Sequence, residues 1–328
     1  MTRLRPLVGL VVAASLALTA CGSSAGESGE GAWEYTSGDG ETYTADEVPT
    51  RILAQGEAAA ALIAHGIKPV GIFANEPVEE SKALEGVDLD GIEIVGEAWG
   101  DIDAEKAAGL EPDLIVSGWW PEDEAYSGFS EGVEADSRKV AELAPVVGPT
   151  YGESAVTTLE GYEDLAVSLG ADAEEPAIVQ AKEGFEQAKE RFQKVVAEKD
   201  DLTAMGVSPA DDLLYVAVPE KSAELTDFVE WGLDVIDPDT PFADYPYWEN
   251  LSWENADKYQ PDLILLDDRT YESSLKTAEK QPTWNKIKAA DAGAITPWPA
   301  FWMSTYAQYA EQLDQLSDAI EKADADLS

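Results

Sequence analysis

The chain has 328 residues, room for two lobes of ordinary size, with 66 acidic against 21 basic side chains and a formal net charge of −45. A negative field of that size argues against nucleic acid and against an anionic lipid surface as partners. With one cysteine and one histidine, the chain can form no internal disulfide and is poorly equipped for a bare transition metal, which wants several histidines.

The chain opens on Arg3 and Arg5, followed by a short apolar core over 7–18 that is too short to stay as a membrane span. Then comes Leu18-Thr19-Ala20-Cys21-Gly22-Ser23, which resembles a bacterial lipobox. Residues 1–20 therefore read as a lipoprotein signal peptide and Cys21 as the lipidation site. The lipid would hold the mature chain to the outer face of the cytoplasmic membrane without embedding it. Residues 21–46 are rich in Gly, Ser, Glu and Thr and read as a flexible tether.

Residues 47–172 read as an N-terminal lobe of alternating strands and helices. Strands are expected at 51–54, 69–73, 92–95, 113–117 and 145–147. Helices are expected at 57–65, closed by Gly66, at 137–143 and at 154–169. The stretch 173–200 reads as one linking helix. Pro176 suits a first turn, and Ile178, Ala181, Phe185, Ala188, Phe192 and Val195 recur at steps of three and four. From 174 to 199 it would run roughly 40 Å, longer than one small lobe needs. Residues 201–328 read as a C-terminal lobe, with strands at 212–218, 234–236, 262–266 and 294–296 and helices at 224–231, 282–289 and 304–323.

Two stretches match at a constant offset of 149 residues, from Trp99 to Trp248. Each reads Trp, three on an aliphatic (Ile102, Leu251), three on a Glu (Glu105, Glu254), two on an Ala, then Pro-Asp-Leu-Ile. Asp103 and Ser252 suit helix N-caps, and the apolar runs 113–117 and 262–266 suit buried parallel strands. One copy lies on each side of the linking helix. The expected fold is α/β: two Rossmann-like lobes with mainly parallel sheets, joined by one long helix, with a ligand cleft between them.

With the lipobox, these features resemble the substrate-binding lipoproteins of ABC importers, of the helical-backbone type that carries ferric siderophores, haem or cobalamin. The resemblance covers 51–320 and rests on four features. They are the lipobox, the opening Arg51-Ile-Leu-Ala-Gln-Gly-Glu with Gly66-Ile-Lys-Pro-Val-Gly, the repeat, and the closing Ala292-Gly-Ala-Ile-Thr-Pro and Phe301-Trp302. It implies a monomeric receptor that is not an enzyme, small hinge motion, and docking onto a permease dimer through one Glu per lobe. The matching positions are Glu105 and Glu254. A two-fold permease presents the same surface twice, and a pseudo-two-fold receptor can answer with one carboxylate per lobe. Both are also first-turn glutamates favoured by the helix dipole.

Ligand candidates cluster at expected strand ends: Gln55, Glu57, Trp99, Trp119, Trp120, Tyr215, Tyr247, Trp248, Arg269, Tyr271, Phe301 and Trp302. Each aromatic could equally be a packing residue. The set is rich in indole and phenol and poor in positive charge, with only Arg269 well placed to meet an anion. Ferric catecholates and ferric citrate call for clustered cations. A neutral or cationic chelate such as a ferric hydroxamate suits this set better, with cobalamin second and haem third. No metal ligand set and no resident cofactor are expected, and iron would enter only inside a chelate. Rival readings are a surface enzyme, for which no nucleophile elbow, zinc motif or phosphate loop is present, and a scaffold, which needs no aromatic cleft.

Overall fold

The computed structural model describes residues 32–130, 132, 133, 135–243, 245–325 and 327. The signal segment and Cys21 lie outside the described residues. The first described element corrects the tether. Strands β1 (Trp33–Thr36) and β2 (Thr42–Ala45) form an antiparallel hairpin. Its apolar residues alternate along each strand, so one face can be buried. Trp33 is 4% exposed and its indole N–H donates to Ser168 Oγ at 3.0 Å. Tyr35, Tyr43 and Ala45 pack on the same core, so the N-terminal lobe begins before residue 47.

The lobe continues with β3 (Ile52–Gln55), α1 (Gly56–Ala64), β4 (Gly71–Ala74), β5 (Glu93–Glu97), α2 (Ala104–Gly109) and β6 (Leu114–Val116). A two-strand ribbon follows, β7 (Trp119–Trp120) and β8 (Ala125–Tyr126), then α3 (Ala135–Arg138), β9 (Val146–Val147) and α4 (Ala155–Ser168). The sheet order is β5-β4-β3-β6-β9, parallel throughout. Leu114, Ile115 and Val116 are fully buried, as the continuous apolar run demands. Asp103 caps α2 by accepting from Lys106 N at 2.9 Å.

Helix α5 (Pro176–Glu198) is continuous. Its stripe is buried at Ile178, Phe185, Ala188, Phe192 and Val195, as the periodicity requires. The helix is not a bare strut. Phe185 stacks on Tyr309 with ring centroids 5.2 Å apart, and Arg191 reaches Asp314 at 3.0 Å and Glu321 at 3.3 Å. On the other lobe, Lys182 pairs with Glu163 of α4 at 2.8 Å.

The C-terminal lobe holds β10 (Thr203–Pro209), β11 (Leu213–Ala217), α6 (Ala223–Glu230), β12 (Asp234–Val235), β13 (Trp248–Ser252) and β14 (Leu263–Asp267). Then come α7 (Tyr271–Glu279), α8 (Lys288–Asp291), β15 (Ile295–Trp298) and α9 (Tyr306–Lys322), which packs along α5. The sheet order is β13-β11-β10-β14-β15, with β12 beside β10. This sheet is mixed: β11 runs antiparallel to both β10 and β13. The cause is a tight turn, closed by Ala210 N donating to Leu213 O at 2.9 Å, that the Gly and Pro within β10 conceal in the sequence. Ser252 also departs from expectation. It makes no side-chain cap, and 253–258 is a kinked 3₁₀ segment where a helix is expected.

One hydrophobic core crosses between the lobes, placing Tyr151, Ala155 and Leu159 with Phe185, Phe228 and Leu313. Polar ties reinforce it. Tyr151 donates to Glu224 at 2.9 Å, Tyr309 donates to Asp227 at 2.8 Å, and Ser154 also donates to Asp227. Among the described residues, no helix is long and apolar enough to cross a membrane.

Candidate functional site

A cavity of about 350 Å³ opens between the lobes at the carboxyl ends of the central strands. Its N-terminal wall begins where β3 turns into α1. The Gln55 side chain accepts from Glu57 N at 3.2 Å and also donates to the Glu57 carboxylate. Burial pushes the Glu57 carboxyl up to about 7; its own backbone bond and Arg269 pull it down, while Glu76 adds to the rise. The ribbon β7–β8 supplies Trp120, which stacks on Tyr151 at 4.4 Å. Trp99 stands in the rim with 54% of its surface exposed.

The C-terminal wall comes from the ends of β14 and β15 and the start of β13. Arg269 follows β14 and forks onto Asp267, with Nε to Oδ1 at 3.0 Å and Nη2 to Oδ2 at 2.6 Å. Burial opposes its charge, but the bonds to Asp267 outweigh that and raise its pKa. The guanidinium also lies 5.2 Å from the Phe301 ring. Phe301 holds φ at 64°, a left-handed conformation uncommon outside glycine, and such strain gathers at ligand sites. Trp302 donates to Asp268 at 2.7 Å, and burial pushes that carboxyl up to about 7. Trp248 is 8% exposed, at edge contact with Phe301 (5.7 Å) and Trp298 (6.1 Å).

Nine of the twelve candidate ligand residues line this cavity. Trp119, Tyr215 and Tyr271 do not. Trp119 alternates with Trp120 along β7, so its ring turns away and packs edge-on to Tyr126 at 5.0 Å. Tyr215 packs against Trp248 at 6.1 Å, and Tyr271 is half-buried against the core of its own lobe. Glu105 and Glu254 are exposed, on α2 and on the kinked turn at equivalent places in the repeat. His65 closes α1, and burial lowers its pKa.

Sequence reasoning passes over Tyr126, Tyr151, Asp123, Glu76, Glu80 and Lys82, all on the cavity wall. Tyr126 is held by the N-terminal hairpin, its hydroxyl 2.8 Å from Ser37 Oγ. That contact relies on Gly148: Ser37 Oγ donates to Gly148 O at 3.0 Å, and a Cβ at Gly148 would stand 1.9 Å from Ser117 O. The signal for Tyr151 is its place just beyond β9, at a strand end like the others. Even with Glu57 set aside as a raised acid, the carboxylates Glu76, Glu80 and Asp123 outnumber the cations Arg269 and Lys82 on this wall. Among the described residues, no group of three or more His, Cys, Asp or Glu side chains converges as a metal site.

The periplasmic binding protein family model matches residues 56–300. No curated protein matches the sequence. Among solved structures, a ferric-siderophore receptor protein from Streptomyces coelicolor is 28% identical, with a TM-score of 0.80 over 89% of this chain and 99% of its own. A Staphylococcus aureus protein with bound ferrioxamine B is 20% identical, with a TM-score of 0.57 over 83% of this chain and 98% of its own. A triscatecholate siderophore binding protein from Bacillus subtilis is 16% identical, with a TM-score of 0.61 over 88% of this chain and 96% of its own. The last two likenesses carry the two-lobed fold alone.

Proposed function

The chain belongs to the periplasmic binding protein family, whose members bind rather than catalyse, and from that premise we propose that it is the extracytoplasmic receptor of an ABC importer for a ferric siderophore of the hydroxamate type. The observation that carries the ligand class is the charge of the cleft. Arg269 is already neutralised by Asp267, and the remaining ionisable wall is mostly carboxylate. A triscatecholate or citrate complex brings several negative charges and would meet repulsion there. A ferric hydroxamate brings none, and offers apolar linkers to Trp99, Trp120, Trp248 and Phe301. The Streptomyces likeness supports the siderophore class. Iron enters only within the chelate, so the protein itself needs no cofactor.

Delivery follows from the same reading. Glu105 and Glu254, exposed at equivalent places in the two lobes, would each enter a basic pocket of a permease dimer. A lipid on Cys21 would keep the monomeric receptor near that permease. Tryptophan fluorescence tests the ligand class, because Trp99, Trp120, Trp248 and Trp302 line the cavity. Saturable quenching by a ferric hydroxamate at submicromolar concentration is expected. Quenching only by a catecholate or citrate complex would overturn the charge argument, and silence toward every iron chelate would overturn the receptor reading.

A further inference from the structure

One corner of the cavity is built differently from the rest. Trp120 comes from β7, Asp123 from the turn between β7 and β8, and Tyr245 and Tyr247 from the segment entering β13. The rings are not stacked flat. Tyr245 and Tyr247 lie 4.8 Å apart at 55°, and Trp120 meets Tyr247 at 5.9 Å and 73°. Tilted faces of this kind enclose a corner. Asp123 lines the same cavity as both phenols, and after burial its charge is the strongest influence raising the pKa of each.

Two polar groups in this corner lack partners. Tyr247 is 3% exposed, yet its hydroxyl makes no hydrogen bond among the described residues. A buried hydroxyl without a partner is costly and uncommon. Asp123 has no hydrogen bond or ion pair among the described residues, whereas its neighbour Glu122 is taken by Lys221. The cleft cation Arg269 is tied to Asp267. An unpaired carboxylate beside tilted aromatic faces on the cavity wall suits an organic cation.

We propose that this corner is a subsite for an organic ammonium carried by the chelate, with Asp123 as its counter-ion and Trp120 and Tyr245 as its walls. This rests on the siderophore reading above and sharpens it: the receptor selects by the net charge of the chelate, cationic over neutral, for one and the same iron-binding core. Glu76 and Glu80, which also line the cavity, add to the field.

The test compares ferrioxamine B, which carries a free ammonium, with its N-acetyl derivative, which is neutral and has the same ferric core. Both are titrated into the full chain at low and high salt. The wild-type protein is expected to bind the ammonium form about tenfold more tightly, and the preference is expected to shrink at high salt. Asp123→Asn should lose most of the preference, read as the ratio of the two affinities within the variant. Asp123 is exposed, so Asp123→Asn keeps the fold. Equal affinity of the wild type for the two compounds, or an undiminished preference in Asp123→Asn, overturns the subsite while leaving a siderophore receptor. Binding of neither compound, nor of any other ferric chelate, overturns the siderophore reading and the subsite with it.

Discussion

Asp113 and Asp262 hold the same post in the two lobes, whereas the tryptophans at the head of the same repeat have parted company. Asp113 N donates to Arg51 O at 3.0 Å, and its carboxylate takes Arg51 N at 2.8 Å and Thr50 N at 2.9 Å. Asp262 N donates to Thr203 O at 3.0 Å, and its carboxylate takes Thr203 N at 2.9 Å. Each aspartate thus fixes the register of the central parallel pair, β3–β6 or β10–β14. Trp99, by contrast, is 54% exposed on a loop, and Trp248 is 8% exposed on a sheet strand. The repeat preserves the frame on which each wall is hung, and the walls differ. The C-terminal lobe gives the cleft a packed aromatic floor. The N-terminal lobe gives it an open rim.

The largest expected effect separates the two tryptophans. Trp248→Ala removes a ring packed on Tyr215, Trp298 and Phe301 and should cost about 4 kcal/mol in urea unfolding. Trp99→Ala should stay within about 0.5 kcal/mol and instead weaken ligand binding. Equal destabilisation by the two would break the contrast between floor and rim.

The aspartates sharpen the comparison from the other side. Asp262 is fully buried and Asp113 is exposed, so the same deletion leaves dry amides in one lobe and wet ones in the other. Asp262→Ala should cost about 3 kcal/mol and Asp113→Ala about 1 kcal/mol, read by the same unfolding curves.

A smaller effect follows from pH. Burial holds the carboxyls of Glu224 and Asp268 in the C-terminal lobe, and Glu57 in the N-terminal lobe, at about 7, above ordinary values of 4.5 for Glu and 3.8 for Asp. An acid raised on folding keeps its proton in the folded state. Its contribution is full below the ordinary value and lost as pH rises through about 7. Stability should therefore fall between about pH 5 and pH 7, by on the order of 1 kcal/mol per group for each pH unit. Glu224→Gln should flatten part of that slope. A midpoint of denaturation that rises with pH over this range would contradict the assignment.

The smallest effect on the isolated protein, and the largest on transport, is expected at the paired glutamates. Glu105→Arg combined with Glu254→Arg should leave unfolding and ligand affinity unchanged and abolish uptake in cells. Retained uptake would remove these residues from permease docking.

Much of the frame was legible because it is written in short-range pattern. The stripe from Ile178 to Val195, the Pro-Asp-Leu-Ile turns and the closing Phe301-Trp302 each announce themselves within a few residues. The rest depends on long-range partners. The hairpin at Trp33 hides in a polar composition, and only Ser168 and the adjoining core explain it. Tyr126 reaches the cavity wall held by Ser37, 89 positions away. Trp119 and Trp120 are alike in the sequence, and only the register of β7 with β8 decides which faces the cleft. Asp123 carried no signal, since one carboxylate among 66 acidic residues is inconspicuous until its neighbours are known.

Hydrogen exchange of the full chain with and without a saturating ferric hydroxamate tests the central claim most directly, namely that one ligand is held between the rim of one lobe and the floor of the other. Protection is expected at the strand-end segments of both lobes together, 118–128 on one side and 245–248, 268–270 and 301–302 on the other, with the central strands unchanged. Protection confined to one lobe, or spread over segments away from the cleft, would contradict it.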